Sequence, residues 1–287
     1  MEALRLLEHS LPFLLFATAM LGLLVGSFLN VVIHRLPVMM ERTWLREMYE
    51  QQDTDQRIAV DDAVYNLVSP ASTCPQCGHR ITALANIPVL SYLFLRGRCS
   101  GCSARIPLRY PLVETVTALL SVIVALQFGY SIQTVAGLAF TWALIPLFMI
   151  DFDHQLLPDS ITLPLLWGGL LLSLSNVFVD STSSIIGAAA GYLSLWTIYH
   201  LFRLVTGKEG MGYGDFKLLG AIGAWVGWQA LPVVVLFSSL VGAVLGIALI
   251  MFRGRDHSQP MPFGPFLASA GWLTLLWGND IIELYLR

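Results

Sequence analysis

"TVAGLAFTWALIPLFMIDFD", residues 134–153, runs from Thr134 to Ile150 without a charge and then ends on Asp151 and Asp153. An apolar run of this kind approaches the ~20 residues that a helix needs to cross ~30 Å of hydrocarbon. It is one of eight such runs, the others lying near 11–33, 112–128, 160–178, 185–205, 217–230, 233–252 and 263–285, with the sixth in order the shortest. The 287-residue chain is 56% hydrophobic and only 12% charged, whereas soluble domains carry about 25% charged residues. Its mean hydropathy is +0.69. A soluble domain is excluded; the pattern predicts an all-α polytopic membrane protein with about eight transmembrane helices. Glu2, Arg5 and Glu8 do not make a basic leader, and the first apolar run is too long for a signal h-region, so the N-terminal helix is expected to stay.

Lysine and arginine set the expected orientation. Nine of the sixteen (Arg35, Arg42, Arg46, Arg57, Arg80, Arg96, Arg98, Arg105 and Arg109) lie in one polar segment, residues 34–111, which the positive-inside rule makes cytoplasmic. Arg203, Lys208, Lys217, Arg253 and Arg255 then fall on the same side, and only Arg5 and Arg287 disagree. The net charge of −3 bears little on this, because orientation is not a net-charge effect. The expected organisation is a first transmembrane helix (1–33), a cytoplasmic insert (34–111) and a seven-helix membrane domain (112–287). Within the insert, 41–66 reads as a solvated, partly helical connector carrying Glu41, Glu47, Glu50, Asp53, Asp55, Asp61 and Asp62.

The centre of the insert, "CPQCGHRITALANIPVLSYLFLRGRCSGC" (74–102), holds all four cysteines of the chain. Cys74, Cys77, Cys99 and Cys102 form two CxxC pairs, a double-knuckle pattern in which each pair gives two thiolates to one tetrahedral ion. A reducing compartment favours metal over disulfides. Four sulfurs would close the coordination shell, so a zinc here would be structural, clipping a segment with little core of its own. A redox CxxC pair and unliganded cysteines are the alternatives. His79 is a possible substitute ligand or a solvated loop residue.

Carboxylates beside a bilayer are costly and so are candidates for function. "LFMIDFDHQLLPDS" (147–160) carries Asp151, Asp153 and Asp159, and "GMGYGDFK" (210–217) carries Asp215 behind three glycines that permit close approach. Both stretches fall at the expected cytoplasmic edge. Two carboxylates that share a proton can hydrolyse an amide: one takes a proton from water while the other donates to the carbonyl oxygen. Asp151 and Asp215 are the candidate dyad. Asp151 can also be a helix-end charge among headgroups, Asp153 a surface residue and Asp159 an N-cap after Pro158. Proton-coupled transport is a competing class, but no span has a charge at its centre and no inverted repeat is apparent. A docking protein would not need eight spans. HExxH and GxSxG are absent, which argues against zinc and serine proteases.

With these residues in view, the chain resembles the type IV prepilin peptidases, the bifunctional leader peptidase and N-methyltransferase enzymes of bacterial pilus and type II secretion systems, of the GxGD aspartyl protease class. The resemblance rests on "GLLVGSFLNVVIHRLP" (22–37), the paired CxxC motifs, "RYPLVE" (109–114), "DFDHQLLPD" (151–159), "GMGYGDFK" (210–217) and "PFGPFLA" (262–268). It implies that Asp151 and Asp215 are catalytic, with Gly212, Gly214 and Lys217 completing the second motif. It also implies removal of a basic, glycine-ending leader from prepilins and pseudopilins at the cytoplasmic face of the bacterial inner membrane. Methylation of the new N-terminus by S-adenosylmethionine is implied too, though no GxGxxG follows a strand and any donor site must be of another kind. A peptidase without methyltransferase activity is the nearest alternative. Expected partners are the pilin substrates and membrane lipid, not nucleic acid.

Six further positions carry open readings. Ser27 and Asn30, three apart, can bond a neighbouring helix, or with His34 and Arg35 can serve methyl transfer or leader binding. Glu114 is expected to pair with Arg35 or Arg109. Lys217 either tunes Asp215 or snorkels at a helix end. Helix dipoles, finally, suggest that Asp151, at a helix C-terminus, holds the shared proton, while Asp215, at a helix N-terminus, activates water.

Overall fold

The computed structural model describes residues 2–51, 64–82, 87–253 and 262–286. Asp53, Asp55, Arg57, Asp61, Asp62, Arg255 and Arg287 lie outside these residues. The described residues are helical with no strand; two isolated antiparallel bridges, Thr73 with Arg80 and Arg98 with Arg105, are the only extended pairings among them. The chain divides into two compact units, Met1–Tyr130 and Ser131–Arg287.

The first unit holds α1 (Glu2–His9), α2 (Leu11–Gln51), α3 (Leu90–Phe94) and α4 (Arg109–Phe128). α2 and α4 pack antiparallel with their backbones close. A Cβ on Gly22 would lie 2.7 Å from Ala118 Cα, and one on Gly26 2.8 Å from Glu114 Cα. This is the small-residue seam that helices use in lipid, where close packing replaces the hydrophobic drive. Asn30 Nδ2 extends the register by donating to the Tyr110 carbonyl at 3.1 Å. α2 is longer than the first apolar run: it has 41 residues and passes Pro37 without ending. At 1.5 Å per residue that is ~60 Å, about twice the hydrocarbon thickness. The part alongside α4 ends near residue 31, close to the expected end of the span at 33, and the acidic and arginine-rich connector continues as helix to Gln51.

The second unit holds α5 (Ile132–His154), α6 (Asp159–Ser173), α7 (Ser181–Thr206), α8 (Tyr213–Val226), α9 (Leu231–Arg253) and α10 (Gly264–Leu286), with a 3-10 turn at Trp228–Ala230. α8 lies at its centre. Phe216, Leu218, Leu219, Ala221, Ile222 and Ala224 all have no exposed surface, as expected of a helix that is apolar all round. Phe140 from α5, Leu195 and Tyr199 from α7 and Leu267 from α10 belong to the same core. Trp225 Nε1 donates to the Leu165 carbonyl at 2.7 Å, tying α8 to α6.

Each of the eight apolar runs contains a helix, but five segments among the described residues are long and apolar enough to cross a membrane: Leu11–Met48, Arg109–Phe128, Ile132–His154, Ser181–Thr206 and Trp228–Ala248. The chain is thus a multi-pass helical membrane protein, and the count of eight full spans is not reached. α6 has 15 residues and α8 has 14, or ~21–22 Å, short of the ~30 Å hydrocarbon core. α8 has no need of full span length because protein, not lipid, surrounds it. α10 has 23 residues, with Asp280 and Glu283 towards its C-terminus.

Candidate functional site

α5 ends one turn after Asp151. Gln155, in the left-handed conformation (φ 55°), caps it and returns its N–H to the Asp151 carbonyl at 2.9 Å. A four-residue link, 155–158, leads directly into α6. Asp215 sits in the first turn of α8, preceded by the extended Gly212. The two aspartates therefore come from a helix end and a helix start, and Leu157 packs both on Gly214, beside Asp215, and on Gly264, which holds Asp151. Both carboxylates are buried, with residue exposures of 5% and 6%.

Each has one oxygen held by a backbone amide. Asp215 Oδ2 accepts the N–H of Gly212 at 3.3 Å, the reach-back of a third-position acid to the residue before the helix. Asp151 Oδ2 accepts the N–H of Gly264, the first residue of α10, at 2.9 Å. Asp215 Oδ1 is buried without a hydrogen-bond partner among the described residues. Leu157, from the α5–α6 link, wedges between the starts of α8 and α10. A Cβ on Gly214 would stand 2.7 Å from Leu157 Cβ, and one on Gly264 would stand 2.7 Å from Asp151 Oδ2 and 3.2 Å from Leu157 Cδ2. Gly214 thus makes room for a packed leucine, a different use from the open access expected of the glycine loop. Gly264 was not singled out in the sequence: its motif "PFGPFLA" is visible there, but its partner is 113 positions away.

The neighbouring charges are placed differently from expectation. Asp159 is the first residue of α6, not its N-cap, which is Pro158. Its carboxylate grips Lys217 Nζ through both oxygens, at 2.7 and 2.8 Å. Lys217 is thereby engaged by Asp159, with no described bond to Asp215. Asp153 is exposed.

In the first unit the sulfurs of Cys74, Cys77, Cys99 and Cys102 all lie within 4.8 Å of one another, and the set can hold a metal ion. Cys74 to Cys102 is 3.9 Å and Cys77 to Cys99 is 4.0 Å. The two knuckles are built alike. Gly78 N–H returns to the Cys74 carbonyl and Ser103 N–H to that of Cys99, each at 2.9 Å. Gly78 and Ser103 both have positive φ, 69° and 58°. Backbone N–H groups of Cys77 and Gln76 lower the Cys74 thiol to about 7, and those of Cys102 and Gly101 lower Cys99. Cys77, although the His79 N–H favours its thiolate, is pushed up to about 12, first by the Cys102 thiol. Crowded sulfurs cannot all carry charge unaided, and a bound divalent cation removes that conflict. His79 does not join the cluster; it packs over Gly101, whose Cβ would meet it at 3.0 Å.

Of the four polar residues at the end of the first span, Asn30 bonds α4, as described, and Ser27 bonds Glu114. Glu114 Oε2 also accepts the Val89 N–H at 2.7 Å. Arg35 donates to the carbonyls of Asn66 (2.9 Å) and Pro70 (2.7 Å) and stacks near Tyr65. The expected pairing of Glu114 with Arg35 is not made. His34 is exposed.

Comparison with known proteins shows the family. Residues 20–128 match the bacterial peptidase A24 N-terminal domain and residues 138–247 the type IV leader peptidase family. The chain is 57% identical to the prepilin leader peptidase/N-methyltransferase of Aeromonas salmonicida over all of its own length and 99% of the relative's. It is 58% identical to the protein of that name in Aeromonas hydrophila, with the same coverage. To that of Pseudomonas aeruginosa it is 55% identical over 98% of this chain and 96% of the relative. No solved structure matches the chain.

Proposed function

The chain belongs to the type IV leader peptidase family, and we propose that Asp151 and Asp215 are the pair with which it removes the leader from prepilins and pseudopilins. What carries this assignment is their convergence: two buried aspartates from separate helices, each with one oxygen fixed by a backbone amide. That leaves the other oxygens for the shared proton and the attacking water. One carboxylate, ionised, takes a proton from water as it attacks the scissile carbonyl; the other, protonated, donates to the carbonyl oxygen. Two buried acids this close do not ionise together, so the single shared proton is a property of the pair. Leu157, Gly214 and Gly264 fix the separation of the helix ends that present them.

The enzyme is placed in the bacterial inner membrane with the dyad at its cytoplasmic face. The arginine and lysine distribution supports that orientation. A leader outside the bilayer joined to an apolar helix within it brings the scissile bond to the same boundary. Residues 1–33 serve as the first span, 34–111 as the metal-stabilised insert and 112–287 as the membrane domain bearing the dyad.

Zinc is the proposed ion of the cysteine cluster. Four thiolates at about 2.3 Å from a tetrahedral zinc stand about 3.8 Å apart, close to the 3.9 and 4.0 Å separations found. Bound zinc would hold the knuckles in place and take no part in peptide cleavage, because four cysteines leave it no open position. Methylation of the new N-terminus follows from the relatives' name, with S-adenosylmethionine as donor. Ser27, Asn30 and Arg35 are held in structural bonds, which leaves His34 as the exposed member of the group for that reaction.

Mass spectrometry of the N-terminus of a co-produced pilin tests this reading. Cleavage before the apolar helix together with a mass increase of one methyl group is the expected result. An unprocessed pilin in the presence of well-folded enzyme would refute the peptidase assignment, and a cleaved but unmethylated one the methyltransferase assignment.

A further inference from the structure

α3 sits beside the start of a span. The N–H of Val89, just before the helix, bonds Glu114 Oε2 at 2.7 Å. Glu114 is five residues along α4 from Arg109, or about 7–8 Å deeper at 1.5 Å per residue. α4 is long and apolar enough to be a span, so the amide of Val89 is held at the end where that span begins, within reach of a Glu114 side chain that leans towards the helix N-terminus. Val89 has φ 58° and ψ −46°, a positive-φ conformation that β-branched residues seldom adopt. It turns the chain there into α3.

The residues that follow are apolar and uncovered. Leu90, Leu93 and Phe94 are 51%, 65% and 84% exposed. In water such a surface would be an unexplained cost; beside a span it is a surface for lipid. The charge around it points the same way. Residues 64–113 contain five arginines and no aspartate or glutamate. Arg96 and Arg98, directly after α3, are exposed.

We propose that α3 is a membrane-interfacial segment. Leu90, Leu93 and Phe94 lie in the boundary between headgroups and acyl chains on the side from which α4 enters the bilayer, and Arg96 and Arg98 engage the headgroups of anionic phospholipid. The metal-clipped segment is then tied to the bilayer surface, with the Glu114–Val89 bond as its inner anchor.

The test uses the full-length enzyme with the photoreactive residue p-benzoylphenylalanine at position 94, reconstituted into phosphatidylethanolamine vesicles with or without phosphatidylglycerol. A control carries the probe at the exposed Gln76 instead. After irradiation, mass spectrometry should find phospholipid adducts at 94 and none at 76, with phosphatidylglycerol over-represented. In an Arg96→Glu/Arg98→Glu background that preference should fall by about tenfold or more, since each arginine near an anionic surface contributes several-fold. Metal content equal to the parent's verifies that the insert is folded. Adducts at 94 with a co-reconstituted pilin or a second copy of the chain, or no adduct at all, would overturn the proposal. An unchanged lipid preference after charge reversal would overturn its headgroup half.

Discussion

The backbone N–H of Gly264 reaches Asp151 Oδ2 across 2.9 Å and joins the end of α5 to the start of α10. A side chain at 264 cannot be accommodated without moving that carboxylate, because a Cβ would stand 2.7 Å from the oxygen and 3.0 Å from Asp151 Cγ. Gly264→Ala should therefore lower leader cleavage about a hundredfold, the usual consequence of displacing a catalytic group by about 1 Å. The metal content and membrane level should be those of the parent. Cleavage rates on a purified prepilin measure it, and a rate within a fewfold of the parent would show that Asp151 is not held by this contact.

The Lys217–Asp159 pair predicts a small effect. Its side chains are 34% and 51% exposed, and exposed ion pairs contribute about 0–1 kcal/mol. Asp159→Asn and Lys217→Met should each change the cleavage rate by about fivefold or less. A Lys217→Met enzyme that is inactive yet folded would mean that the lysine acts on Asp215 after all.

Metal binding should follow the four sulfurs. Purified protein is expected to hold one zinc per chain, and Cys74→Ser or Cys99→Ser should remove most of it. Zinc should also leave on acidification, because protons compete for the thiolates that bind it. Elemental analysis after dialysis at stepped pH reads both. Zinc content indifferent to cysteine substitution would displace the ion from this site.

The α2–α4 seam should resist bulk. Gly26→Leu places a side chain against the α4 backbone, which cannot yield as a flexible side chain would. A destabilisation of about 1–3 kcal/mol is the common cost of overpacking. A thermal midpoint in detergent equal to the parent's would show that the helices are not packed at this register.

Much of this was legible from local pattern, and what was missed is non-local. The apolar runs located the long helices, and the CxxC pairs located the cysteine cluster that can hold a metal ion, because both signals repeat within short stretches. The length of α2 was only partly legible: 41–66 reads as a partly helical connector, but nothing in that reading joins its helix to the first span, which continues past Pro37 to Gln51. Asp151 and Asp215 could be nominated for their position beside apolar runs. Their proton assignment could not. Asp151 lies at the C-terminal end of α5, which disfavours charge, but Gly264 brings the N-terminus of α10 against it and offsets that effect. Helix ends therefore do not separate the two acids once the third helix is present. Lys217 and Asp159 were likewise read singly, as tuner and as cap, when they are 58 positions apart and partners.

The central claim is that this pair of aspartates cuts the peptide, and the most direct measurement compares four single substitutions on one purified prepilin under one condition. Asp151→Asn and Asp215→Asn should each abolish leader removal while the protein remains folded, membrane-inserted and zinc-loaded, whereas Asp153→Asn and Asp159→Asn should retain a substantial fraction of the parent rate. An active Asp151→Asn beside an inactive Asp153→Asn would move the site to the other acid of "DFD"; cleavage by all four variants would contradict an aspartyl mechanism.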